Sequence, residues 1–123
     1  MKAGQTLVVL YSDKLEEVKE FYELLGLKFQ KEKHGKGPEH FACDLGEVVL
    51  EIYPAATDMS KCFNAGTLQP FKLGMILQVD RGLVVDSVCE GKIRAFREGN
   101  EPDLSKMVLT QDPEGRRVEL WLV

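Results

Sequence analysis

The stretch Asp112 to Val123 reads DPEGRRVELWLV, and it repeats in outline the stretch Asp44 to Pro54, DLGEVVLEIYP. Each begins with an aspartate, passes through a glycine-bearing turn, and reaches a glutamate after six residues, Glu51 or Glu119, which is followed by Ile52 or Leu120. A turn-forming aspartate before an alternating apolar run reads as a tight turn entering a β-strand. The same doubling appears upstream. TLVVLY, Thr6 to Tyr11, ends at Ser12 and Asp13, and LGMILQV, Leu73 to Val79, ends at Asp80. Asp13 and Asp80 lie 67 residues apart, whereas Asp44 and Asp112, like Glu51 and Glu119, lie 68 apart. A near-constant offset across the first and last strands of each half predicts a duplicated structural unit.

The residues between these anchors fill in the unit. From Lys14 to Leu25 the apolar residues Leu15, Val18, Phe21, Tyr22 and Leu25 recur at steps of three and four, the period of an amphipathic helix, and Gly26 closes it. Leu27 to Glu32, His40 to Leu45 and Glu47 to Tyr53 read as strands, separated by the turn from His34 to Pro38 and by Gly46. In the second half a short, poorly patterned helix is expected around Val84 to Glu90, stopped by Gly91, with strands at Lys92 to Arg97, Lys106 to Thr110 and Arg116 to Val123. The expectation is therefore an α+β domain, 1–123, made of two tandem β-α-β-β-β modules, about 1–54 and 71–123. A Pro-bearing, small-polar connection occupies about 55–70.

At 123 residues and 44% hydrophobic content the chain can build one proper core. Its net charge of -4 is interspersed, with no basic patch, so nucleic acid is a poor partner. The apolar runs are far shorter than the ~20 residues of a membrane-spanning helix. The N-terminus leads straight into strand-like sequence with no room for a signal peptide, so a cytoplasmic protein is expected. Cys43, Cys62 and Cys89 form no CxxC pair and read as reduced structural thiols. A His40–Cys43 catalytic pair is disfavoured, because three residues along a strand put two side chains on opposite faces.

SDKLEEVKEFYELLGLKF, Ser12 to Phe29, resembles the strand–helix opening of the vicinal oxygen chelate superfamily, which includes glyoxalase I, bleomycin-resistance proteins and extradiol dioxygenases. DPEGRRVELW, Asp112 to Trp121, resembles its C-terminal signature more closely. The resemblance implies a curved, mostly antiparallel eight-stranded sheet, the glyoxalase/bleomycin-resistance fold, with a cavity and commonly a homodimer. It also implies a divalent metal held by one side chain from the first and one from the last strand of each module. Carried over, those places are Leu7, Glu51, Gly74 and Glu119, of which only the two glutamates can ligate through a side chain.

Period-two alternation puts Val49 and Tyr53 on the face of Glu51, and Arg117 and Trp121 on the face of Glu119. The matching faces of the first strands hold Leu7, Val9 and Tyr11, and then Gly74, Ile76 and Gln78. The opposite faces are aliphatic and suit packing under the helices. The expected cavity wall is apolar and aromatic with few polar groups, as a small-molecule site requires. His40 is a candidate cavity residue from the third strand. Glu51 and Glu119 are candidates for a general base or metal ligands, or else simple partners of Arg117, Tyr11 or Tyr53. His34 and His40 are otherwise expected as surface or substrate-facing residues that would ligate only through a rearranged geometry.

Two functions remain open at this level. One is a small-molecule-binding protein with no tightly held cofactor. The other is a lyase, isomerase or dioxygenase in which a weakly bound Zn, Ni, Fe or Mn ion polarises a substrate oxygen.

Overall fold

Leu50 and Ile52 are the side chains that the first half cannot leave in water, and both are fully buried, while Leu10 on the neighbouring strand is buried too. Each such burial contributes about 1.5–3 kcal/mol, enough to decide which face of a half-buried strand turns inward. The computed structural model describes residue 4 and residues 6–55, 75–95 and 107–123. Along them run β1 (Thr6–Ser12), α1 (Leu15–Leu24), β2 (Gln30–Glu32), β3 (His40–Asp44), β4 (Val48–Pro54), β5 (Met75–Val79), α2 (Arg81–Cys89), β6 (Met107–Gln111) and β7 (Arg117–Leu122).

These strands form two mixed sheets, one in the order β1-β4-β3-β2 and one in the order β5-β7-β6. The first strand of each half pairs in parallel with the last, and the remaining pairs are antiparallel. The register carries the duplication down to single residues. Glu51 stands opposite Val9 and Ala42, and Glu119 stands opposite Ile76 and Leu109. The chain divides into two compact units, Met1–Lys19 with Leu27–Pro70, and Glu20–Gly26 with Phe71–Val123. In the first, Val18, Phe41, Leu50 and Ile52 are core residues; in the second, Tyr22, Leu25, Val84, Val118 and Leu120 are.

The two hairpin turns of the repeat are built alike. Asp44 Oδ1 accepts from Gly46 N at 2.8 Å, and Asp112 Oδ1 accepts from Glu114 N and Arg116 N at 2.9 and 3.0 Å. Gly46 and Gly115 take φ of 93° and 81°, a region closed to most side chains. The paired aspartates are thus turn residues. Their spacing to the glutamates is the length of a turn plus half a strand.

Several expectations change. Seven strands stand among the described residues where eight were expected. Lys92 to Ala95 is not a strand, because Gly91 at φ 74° turns the chain back and the Ser87 carbonyl accepts from both Lys92 N and Ile93 N. Residues 96 and 97 lie outside the described residues, as do residues 73 and 74 of the fifth expected strand. The strand expected from Leu27 begins only at Gln30. α2 starts at Arg81, three residues before the expected Val84, because Asp80 caps it by accepting from Leu83 N at 3.1 Å.

Candidate functional site

On the face of the first sheet opposite its core, the register lays out an ordered row. Tyr11 on β1 stands opposite Tyr53 on β4. His40 on β3 shares that face through the alternation that puts Ala42 opposite Glu51, and Glu32 on β2 stands opposite His40. The neighbouring rows hold Val9 and Glu51, then Leu7 and Val49. Of the residues expected to line a cavity from the first half, all six strand positions and His40 therefore share one face.

The apolar end of this face is open. Leu7 is 57% exposed and Tyr11 is exposed, with the Tyr11 and Tyr53 rings 5.9 Å apart and tilted by 49°. The polar end is tighter. His40 is 1% exposed, so of the two expectations, surface or substrate-facing, the surface one does not hold for it, and its ring stacks on Tyr53 at 4.0 Å and 11°. Tyr53 supplies the cover that buries it. His40 Nε2 lies 3.5 Å from Glu51 Oε2 and 3.5 Å from Glu32 Oε2, and His34 Nε2 lies 3.4 Å from the same Glu32 oxygen. Tyr53 has its phenol pushed upward, first by burial and then by the Glu51 carboxylate, which also takes a hydrogen bond from its hydroxyl. Glu51 is 14% exposed on its side chain, so it stays reachable from solvent.

Glu32 was not singled out from the sequence. Its signal lies in the hairpin: Glu32 and His40 flank the glycine-rich turn at equal distance, so symmetric pairing of the two strands sets them side by side. Glu32, His34 and His40 offer ligand atoms all within 4.8 Å of one another. This is the rearranged geometry in which both histidines can act together.

In the second unit, Ile76 and Gln78 on β5 share a face with Arg117, Glu119 and Trp121 on β7, as alternation implies. Trp121 is 47% exposed and Ile76 is also exposed. Gly74 lies outside the described residues. The opposite face is core, with Val118 and Leu120 buried. Beside that core, the buried Asp112 accepts from Tyr22 Oη at 2.8 Å and from an Arg116 guanidinium nitrogen at 2.9 Å, a structural cluster that holds the β6–β7 turn.

Solved structures with this arrangement of strands carry the identification of the fold. A lactoylglutathione lyase from Agrobacterium tumefaciens superposes with a TM-score of 0.61 at 18% identity, covering 98% of this chain and 94% of its own. The chain has the vicinal oxygen chelate fold. TnmS3, an antibiotic binding protein from a Streptomyces species, matches with a TM-score of 0.64 at 15% identity over 98% of this chain and 96% of its own. TioX from a Micromonospora species gives 0.64 at 14% identity over 98% of both chains. No protein-family model and no curated protein sequence matches the chain. No helix among the described residues is long and apolar enough to cross a membrane. Within the vicinal oxygen chelate fold, the carried-over positions can be compared with the side chains present. Leu7 is an exposed aliphatic residue standing opposite Val49, Gly74 has no side chain, and the buried imidazole nearest Glu51 comes instead from β3.

Proposed function

We propose that this protein binds a small, flat organic molecule on the open face of its first sheet, with Tyr11 and Tyr53 as stacking surfaces and Glu51 as the polar contact. One observation carries the reading: two adjacent tyrosines and the apolar Leu7 are left accessible beside a carboxylate that is only partly exposed. Apolar and aromatic walls with one or two placed polar groups are the chemistry of small-molecule recognition. Glu51 asks for a ligand with a hydrogen-bond donor or a positive charge at that end. The likeness to the antibiotic binding protein TnmS3 supports sequestration of such a molecule as a role for this fold.

Trp121 and Ile76 give the second unit an accessible aromatic and apolar face of its own, with Glu119, Gln78 and Arg117 as its polar members. That face supports a contact with another copy of the chain in a homodimer. We place the protein in the cytoplasm, consistent with two unpaired cysteines, Cys43 and Cys89. A metal-dependent lyase, isomerase or dioxygenase is the second reading, and the Glu32–His34–His40 cluster is the observation that favours it.

A thermal-shift screen with planar aromatic acids, amines and quinones tests the first reading, since binding to the native state alone raises the melting temperature by mass action. A stabilising compound whose effect disappears in Tyr11→Ala supports it. A screen in which no planar compound stabilises the protein, or one whose hits are untouched by Tyr11→Ala, overturns it.

A further inference from the structure

The His40 imidazole is the one buried polar group in the described residues whose surroundings do not account for it. Its Nδ1 lies 3.2 Å from the Pro38 carbonyl oxygen, which can only accept, so Nδ1 carries the proton. The other nitrogen, Nε2, is buried and has no hydrogen-bond partner among the described residues. One oxygen each of Glu32 and Glu51 lies 3.5 Å from it. A lone pair held against two carboxylates is repulsive unless something positive stands between them.

A proton on Nε2 would draw a carboxylate to about 2.7–2.9 Å. The observed separations are longer and nearly equal: 3.5 Å, 3.5 Å, and 3.4 Å for His34 Nε2 to Glu32. Ligands placed about 2.0–2.1 Å from a tetrahedral ion stand roughly 3.4 Å from each other. The two histidine-to-Glu32 separations match that spacing, and all three ligand atoms of Glu32, His34 and His40 lie within 4.8 Å of one another.

We propose that Glu32, His34 and His40 form a divalent transition-metal site of the zinc or ferrous class, contained in the first unit, with Glu51 bordering it at His40. Two imidazoles with carboxylates suit such ions, whereas calcium and magnesium prefer oxygen ligands throughout. The supporting contacts are also in place. The Pro38 carbonyl fixes the tautomer of His40, Tyr53 clamps its ring, and the Tyr53 hydroxyl orients Glu51. The outer side of the site is open, with the His34 side chain 70% exposed, so water or a ligand oxygen can reach the ion. Of the four positions that the sequence resemblance implies, only Glu51 borders this site, 3.5 Å from His40 Nε2. The site borders the flat-ligand face through Tyr53 and Glu51, but its test reads the ion and the ligating side chains alone, so it can fail while the flat-ligand reading holds.

The test uses full-length protein without a histidine tag, stripped with a chelator and titrated calorimetrically with Zn²⁺, and separately with Co²⁺ read by its visible absorption. The expected result is one ion per chain, with affinity lowered at least about 100-fold in His34→Ala and in Glu32→Gln. Both changes lie at the exposed side of the cluster, and unchanged circular dichroism shows that each variant is folded. His40→Ala is a supplementary variant, since the buried ring also supports packing. Absence of Zn²⁺ and Co²⁺ binding by the wild-type chain would overturn the proposal. So would binding that survives both variants, or binding that instead disappears in Glu119→Gln, which lies in the other unit.

Discussion

Tyr22 shows how one side chain ties local chemistry to stability. Burial, then the charge of Asp112, then its hydrogen bond to that carboxylate raise the phenol well above the ordinary tyrosine value of 10.0. The folded chain therefore keeps this proton where the unfolded chain loses it. The stabilisation is fully present below pH 10 and falls as pH rises further. Tyr22→Phe is expected to lower the unfolding free energy by about 1.5–3 kcal/mol at neutral pH, since a buried hydrogen bond to a charge is lost. It should also lessen the alkaline loss of stability. Urea unfolding at neutral pH and above pH 10, compared with wild type, measures both. The cysteines differ in the same physical terms. Burial pushes the Cys43 thiol upward, while Cys89 is exposed. In native protein a thiol reagent should label Cys89 promptly and Cys43 only as fast as the chain opens, which peptide mass spectrometry resolves.

At the scale of the elements, the repeated turns are the most rigid instruction in the chain. Gly46→Ala and Gly115→Ala force a side chain into positive φ and should each cost about 1–2 kcal/mol. Asp80→Ala, which removes the α2 cap, should cost about 1 kcal/mol in the same denaturation assay. These elements also show what was legible beforehand. α1 was readable because Leu15, Val18, Tyr22 and Leu25 keep a helical period. The start of α2 was not, because Arg81 and Gly82 look like a turn and Leu83, Val84, Val85 and Val88 keep no clear stripe. KIRAFR alternates as a strand would, but the reversal at Gly91 and the capture of two amides by Ser87 override that pattern between Lys92 and Ala95. Local periodicity cannot register a competing backbone acceptor.

At the scale of the molecule, the duplication was legible because its markers, Asp44 with Glu51 and Asp112 with Glu119, sit at fixed distances within each half. The candidate site was only half legible. Alternation alone put Tyr11, Glu51 and Tyr53 on a common face. Bringing Glu32 and His40 together, with His40 beside Glu51, needed the β2-β3-β4 order and its register, which are long-range pairings with no local signature. The exposed Trp121 and Ile76 predict that sedimentation velocity will find a dimer whose association weakens in Trp121→Ala. A monomer at all concentrations would remove the homodimer from the account.

We propose a ligand-binding role for the Tyr11–Tyr53–His40–Glu32 face of the first sheet. Its most direct test is a backbone amide NMR map recorded while adding a planar aromatic compound that stabilises the wild-type chain. The largest shifts are expected on Leu7, Val9, Tyr11, Glu51 and Tyr53. Shifts confined to α2 or to the β6–β7 turn, with β1 and β4 unmoved, would contradict it.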